Sequence, residues 1–78
     1  MEISNKVRER RTYYGWSQRE LARMVGITSG AMSALERGVS WPMTDTAIRL
    51  ARALGTTVEY LWGEAVPDTA KMQETRHK

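Results

Sequence analysis

The chain has 78 residues, which is enough for one modest hydrophobic core and no second domain. It contains no cysteine, which excludes a disulfide framework, a thiolate zinc site and a cysteine nucleophile. No apolar run approaches the roughly 20 residues that a membrane span requires, and Met1 to Arg11 is too charged for a signal peptide, so we expect a soluble, cytoplasmic protein.

The formal net charge is +3, and the excess positive charge lies in the first half of the chain. Residues 1–37 carry seven Lys and Arg against four Asp and Glu, whereas residues 38–78 carry five of each. This asymmetry favours a partner rich in phosphates, because cations near a polyanion release its counterions. The alternative is that these cations only form a solvent-exposed helix face.

The first predicted helix spans Ile3 to Tyr14 and ends at Gly15. The spacing of its apolar residues predicts that Ile3, Val7 and Tyr14 point inward. The residues predicted to be exposed are Lys6, Arg8, Glu9 and Arg10. Trp16 precedes the next helix in the position of a hydrophobic staple, so we expect it to pack in the core.

Two short helices joined by a glycine turn are predicted next. Ser17 is a good N-cap, and Glu20 three residues later completes a capping box, so a helix begins there. The predicted apolar stripe of this helix is Leu21, Met24 and Val25. Gly26 then supplies the left-handed residue that ends a helix, and the small Ala22 allows the following helix to approach closely.

The third predicted helix is capped by Thr28 and stopped by Gly38. Its predicted inward face is Ala31, Met32 and Leu35. The residues predicted to point outward are Ser29, Gly30 and Ser33. Two short helices around a tight turn are typical of a helix-turn-helix.

Two further helices are predicted. The fourth is capped by Thr44 or Asp45. Its inward stripe is Ala47, Ile48, Ala51 and Leu54. The fifth is short and opens at Thr57. Val58 and Leu61 are predicted to pack beneath it, and Trp62 is predicted either to pack with them or to join an exposed apolar patch. Five helices without a strand predict an all-α domain over residues 1–63, whereas residues 64–78 lose periodicity and are predicted to form a flexible tail or linker.

A glutamine, a small residue, a turn glycine and apolar residues recur at characteristic spacing along this segment. They are Gln18, Leu21, Ala22, Val25, Gly26, Ile27, Met32 and Leu35, followed by Glu36-Arg37-Gly38. The pattern resembles the helix-turn-helix of the lambda-repressor-like family, also called the Cro and repressor type or XRE family, and the similarity extends from about Val7 to Gly63. It implies a compact five-helix fold whose third helix enters the major groove of DNA.

The resemblance implies DNA-contacting roles for two sets of residues. The base-facing set is Thr28, Ser29, Gly30, Ser33 and Ala34. The phosphate-facing set is Ser17 through its amide, Gln18, Arg19, Arg37 and Ser40, with Arg8 and Arg10 as further candidates. The base-facing set lacks the long amides that contact adenine, so we expect thin direct readout. DNA shape, bridging water and thymine methyls near Ala31 or Thr28 would then contribute more.

Two charged residues match family positions at which an ion pair locks the recognition helix to the scaffold. The resemblance implies that Arg11 of the first helix pairs with Glu36 at the end of the third, largely out of solvent. The alternative is two unrelated surface charges. Gln18 matches a position that both binds phosphate and braces the recognition helix.

A dimer interface is predicted from the aromatic residues that follow the third helix. Pro42 excludes Trp41 from helical geometry, and the loop around them is irregular. We expect Trp41, Met43 and Trp62 to form an exposed apolar patch that contacts a second copy. An isologous homodimer on DNA would then recognise a palindromic operator.

The sequence thus predicts a non-enzymatic, sequence-specific regulator of transcription. We expect a repressor of phage or mobile-element type that binds double-stranded operator DNA at the nucleoid and needs no cofactor or metal. The single histidine, His77, lies in the predicted tail, and no paired carboxylates or phosphate loop are present. Two alternatives use the same fold: an antitoxin whose tail binds a protein partner, and a controller protein of a restriction-modification locus.

Overall fold

The computed structural model describes residues 2–66, which form helices and no strand. The helices are α1 (Val7–Tyr13), α2 (Gln18–Val25), α3 (Ser29–Arg37), α4 (Thr44–Ala53) and α5 (Val58–Trp62), followed by a 3₁₀ turn (Gly63–Ala65). The predicted all-α, five-helix architecture is confirmed. None of the helices in this part of the chain is long and apolar enough to cross a membrane. Most of the predicted tail, including His77, lies outside the described residues.

The helix-turn-helix is built by the capping residues that the sequence indicated. The Ser17 hydroxyl accepts a hydrogen bond from the Glu20 amide at 3.0 Å, and the Glu20 carboxylate accepts one from the Ser17 amide at 2.8 Å. Gly26 ends α2 with φ of 80°, and the Thr28 hydroxyl caps α3 through the Ala31 amide at 3.0 Å. The turn geometry is therefore encoded locally.

The first helix is shorter than predicted, because the residues before it bond to distant parts of the chain. The Ile3 amide donates to the Gly38 carbonyl at 2.8 Å, and the Lys6 amide donates to the Leu61 carbonyl at 2.9 Å. The Asn5 side chain donates to the Leu35 carbonyl at 2.9 Å and accepts from the Val7 amide at 3.1 Å. We call residues 2–6 the N-terminal arm, because they pack against the end of α3 instead of continuing α1.

The start of the fourth helix also differs from the prediction. Its N-cap is Met43, which makes no side-chain capping bond. Asp45 does not cap, because its carboxylate accepts a hydrogen bond from Arg49 one turn later at 3.2 Å. Arg49 also donates to the Val25 carbonyl at 3.0 Å, so it ties α4 to the C-terminal end of α2.

The core lies where α2, α3, α4 and α5 meet the start of α1. Its buried apolar residues are Val7, Leu21, Ala22, Val25, Met32, Leu35, Ala47, Leu50, Ala51, Leu54, Leu61 and Trp62. Five residues predicted to point inward are exposed instead: Tyr14, Met24, Ala31, Ile48 and Val58. Since successive helical residues are about 100° apart, burial of Ala22 turns Met24 outward on α2, and burial of Leu50 turns Ile48 outward on α4.

Gly38 carries two constraints at once. Its φ is 78°, in the left-handed region, and a methyl group at its Cα would lie 2.5 Å from the Ile3 carbonyl oxygen and 2.6 Å from the Ile3 nitrogen. Gly26 has a similar φ of 80°, but a methyl group there would meet no atom within 4 Å. The two glycines therefore form a matched pair that separates backbone strain from steric conflict.

We expect Gly26→Ala to lower the free energy of unfolding by about 1–2 kcal/mol, the cost of a left-handed alanine. Gly38→Ala should lower it by about 1–3 kcal/mol more, because the N-terminal arm must also move away. Urea denaturation of the two variants measures the difference. Equal losses would contradict the close packing of the arm on Gly38.

Candidate nucleic-acid interface

The amino end of α3 protrudes from the fold with short side chains. Thr28, Ser29 and Gly30 are exposed, as is Ala31 on the same turn. Of the predicted base-facing set, Ser33 and Ala34 are instead half-buried. The protruding end thus presents hydroxyls, a bare backbone and methyl groups rather than long polar side chains.

Arg37 is the only long side chain of α3 that is exposed. Its Nε donates to the Ser33 hydroxyl at 3.4 Å, so the guanidinium lies along the outer face of the helix. Ser40 is also exposed, in the loop that follows α3. These two predicted phosphate-facing residues lie at the opposite end of α3 from Thr28.

Glu36 connects three helices through its carboxylate. Arg11 of α1 donates from Nε to Oε2 at 2.6 Å and from Nη2 to Oε1 at 3.0 Å, which makes the pair bidentate. Gln18 at the start of α2 donates to the same Oε1 at 2.9 Å. The remaining guanidinium nitrogen of Arg11, Nη1, donates a hydrogen bond to the Trp16 carbonyl at 2.8 Å. The structure thus brings together the two residues of the predicted pair, with Gln18 as a third member.

The pair is largely removed from solvent. The side chains of Arg11 and Glu36 are 12% and 3% exposed. The hydrogen bonds that Arg11 donates to Glu36 raise the pKa of Arg11 above its usual value, and desolvation opposes them only in part. The stability that this shift contributes is present below the unfolded-state pKa of arginine and is lost only at more alkaline pH, so the pair stays intact around neutrality.

The first turn of α2 offers less to a phosphate than the sequence suggested. The Ser17 amide already donates to the Glu20 carboxylate at 2.8 Å, so a phosphate would have to replace that carboxylate to bind it. Gln18 is half-buried against Glu36, whereas Arg19 is exposed. Arg19 is therefore the member of this turn whose charge is freely presented.

Arg10 has a structural role that the sequence did not indicate. Its Nη2 donates to the Leu54 carbonyl at 2.9 Å and to the Tyr14 hydroxyl at 3.2 Å, and Tyr14 itself donates to the same carbonyl at 3.1 Å. These bonds hold the end of α1 against the end of α4. The Arg10 guanidinium is therefore engaged within the fold and is no longer proposed to contact phosphate, whereas Arg8 is exposed and remains a phosphate candidate.

The predicted dimer patch is partly wrong. Trp62 is only 2% exposed and belongs to the core, because α5 is short and turns this side chain inward. Trp41 and Met43 are 52% and 75% exposed, as expected. Trp16 is half-buried and stacks on Tyr14, with ring centroids 4.6 Å apart.

Two apolar grooves lie on either side of Trp41 and Pro42. One, of about 240 Å³, is lined mainly by Thr44, Ala47, Ile48, Val58, Trp62 and Val66, and we call it the α4–α5 groove. The other, of about 230 Å³, is lined mainly by Ile27, Ala31, Ala34, Leu35, Met43 and Thr46, and we call it the α3 groove. Trp41 and Met43 share the α3 groove, whereas only Trp41 also lines the α4–α5 groove.

Sequence reasoning missed two residues that position this surface. Arg49 fixes the end of α2, and Asn5 fixes the end of α3. An asparagine just before a helix is a common N-cap signal, so Asn5 indicated a later start of α1. The contact of Arg49 with Val25 spans 24 positions in sequence and leaves no local signal.

No group of three or more His, Asp or Glu within residues 2–66 could hold a metal ion. The surface around α3 instead combines a protruding helix end, exposed arginines and an apolar groove. Such an arrangement suits contact with a large polyanion.

The fold and this surface define a transcriptional regulator with a helix-turn-helix DNA-binding domain. The helix-turn-helix family model matches residues 7–61 of the chain. The chain therefore belongs to this helix-turn-helix family, whose repressor-type domains bind double-stranded DNA.

Individual relatives agree with the family. The uncharacterized HTH-type transcriptional regulator YgzD of Bacillus subtilis (strain 168) is 33% identical over 57 residues, which is 73% of this chain and 86% of that protein. The HTH-type transcriptional regulator ImmR of the same strain is 29% identical over 75 residues, which is 96% of this chain and 58% of that protein. The solution structure of the DNA-binding domain of the P22 C2 repressor superposes with a TM-score of 0.70 and 28% identity, over 85% of this chain and 92% of that domain.

The buried pair gives a stability test. We expect Glu36→Ala to lower the free energy of unfolding by about 3–5 kcal/mol, because Arg11 is left charged without its partner. The double variant Arg11→Met with Glu36→Ala should recover part of that loss. Thermal and urea melts of the single and double variants measure both values; a double variant no more stable than the single one would contradict the coupling.

Proposed function

We propose that this protein represses transcription by binding a palindromic operator as a homodimer. The observation that carries the proposal is the way α3 is presented: Glu36 is fixed by Arg11 and Gln18, while the amino end of the helix stays exposed. A helix held rigidly to two others can enter the major groove in one orientation. Operator binding would place the protein at the nucleoid.

Phosphate contacts would supply most of the affinity. The exposed side chains available for them are Arg8, Arg19, Arg37 and Ser40. Each arginine that meets a phosphate releases a condensed counterion, so binding weakens as salt rises. These contacts fix the register of the protein on the duplex but carry no sequence information.

Base readout would come from Thr28, Ser29, Gly30, Ser33 and Ala34. Because none of these side chains is a long amide or a guanidinium, bidentate contacts to purines are absent from this set. Short side chains let the helix approach the groove floor closely. Specificity would then rest on apolar contacts, bridging water and the deformability of the operator.

We propose the α4–α5 groove as the contact with a second copy. Trp41, Ile48, Val58 and Val66 line it and are exposed, so the patch is apolar and continuous across two helices. A two-fold axis through this groove would bring the same residues of both copies together. Two α3 helices about 34 Å apart would then meet successive major grooves on one side of the duplex.

Selection of bound duplexes from a random library at about 150 mM salt, followed by sequencing, tests the proposed function. We expect an enriched palindrome whose half-sites are about one helical turn apart, because two copies of α3 must read the same sequence. Lack of enrichment over a library carried through without protein would contradict operator binding. That result would favour the alternative function, that of an antitoxin that binds a protein partner.

Ile48→Ser tests the dimer. We expect about tenfold weaker binding to the palindrome and unchanged binding to a single half-site, because the substitution removes apolar contact between copies. Met24→Ser is the matched control, since Met24 is exposed but lies on α2 outside both grooves. Equal binding of the two variants to the palindrome would place the dimer contact elsewhere.

A further inference from the structure

Met43, the N-cap residue of α4, lies beside α3, the proposed recognition helix. It is 75% exposed and lines the α3 groove together with Ala31 and Ala34. It does not line the α4–α5 groove, which Trp41 and Pro42 separate from it. A role for Met43 in the dimer is therefore not supported by its position.

The α3 groove is apolar and opens beside the exposed part of α3. Its walls are alanine methyls, Ile27, Leu35 and the side chains of the loop, and its polar side-chain groups are the hydroxyls of Ser40 and Thr46 and the indole N–H of Trp41. No charged or amide side chain lines it. Ala31 is exposed at its edge, although it is apolar and lies on the helix that enters DNA. The groove thus shares Ala31 and Ala34 with the proposed recognition helix.

The ligand for such a groove follows from the chemistry of the major groove. Base edges there display hydrogen-bond donors and acceptors together with one apolar group, the 5-methyl of thymine. A groove without charged or amide side chains, next to α3, matches that methyl and offers little to the polar edges of guanine or cytosine. Methionine suits this contact because its side chain is flexible and polarisable.

We propose that the α3 groove binds thymine 5-methyl groups, with Met43 and Ala31 as the residues that select thymine in each half-site. This inference rests on the proposed operator binding. It moves part of the sequence readout from the side chains of α3 to the loop that follows it.

Removal of single methyl groups from the DNA tests the proposal. In the selected operator, each thymidine of a half-site is replaced in turn by deoxyuridine, which lacks only the 5-methyl. We expect about fourfold weaker binding for each methyl that the groove takes up, the effect of withdrawing one methyl-sized apolar group from a buried site. Positions outside the groove should show no change.

Met43→Ser identifies the residue responsible. Serine is favoured at the N-cap of a helix, the position that Met43 occupies in α4, so this variant should fold. We expect it to bind the thymidine and deoxyuridine operators equally at the sensitive positions. Met24→Ser, the same change at an exposed methionine of α2 that lies outside both grooves, should keep the preference of the unmodified protein.

The outcomes separate this inference from the function on which it rests. An enriched operator that binds equally with deoxyuridine at every position would overturn the methyl groove and leave operator binding intact. A thymine preference that persists in Met43→Ser would overturn the role of Met43. Lack of any enriched operator would overturn both proposals.

Discussion

The bidentate contact between Arg11 and Glu36 is the interaction on which the geometry of this protein depends. One carboxylate joins α1, α2 and α3, because Arg11 and Gln18 both donate to it, and Arg11 also holds the Trp16 carbonyl before α2. A buried ion pair contributes little net stability compared with an apolar contact of the same volume. Its contribution is to orientation. All of its hydrogen bonds form in only one arrangement of the three helices, and that arrangement fixes where the amino end of α3 points.

The C-terminal end of α3, where Glu36 lies, is also held by hydrogen bonds to backbone carbonyls. After Arg37 the chain turns through Gly38, whose carbonyl receives the Ile3 amide, while Asn5 occupies the Leu35 carbonyl near the end of the helix. Helix ends expose carbonyls that need partners. The N-terminal arm supplies two of these partners and leaves no room for a side chain at Gly38. The recognition helix is thus held by a side-chain network on its inner face and by the arm at its C-terminal end.

The sequence predicted what is encoded locally. The capping box at Ser17, the left-handed Gly26 and the Thr28 cap are determined within a few residues, and all three are present. Several of the errors lie where distant contacts decide. The start of α1 is set by bonds to Gly38 and Leu61, and the burial of Trp62 is set by the packing of α5 on the core. Among the predicted site residues, Arg10 was misread for the same reason, since its partner is the Leu54 carbonyl, 44 positions away.

The composition of α3 has a consequence for how binding energy divides between affinity and specificity. Arginines on the surface interact with phosphates of any sequence, so they raise specific and non-specific affinity together. Short side chains at the base-facing positions add few directional hydrogen bonds. Discrimination must then come from contacts that are weak individually, such as methyl burial and DNA deformation. A rigidly positioned helix is what makes such contacts selective, because their energy falls off within a fraction of an ångström of optimal packing. The polar network around Glu36 and the apolar groove beside Ala31 are therefore complementary parts of one binding surface.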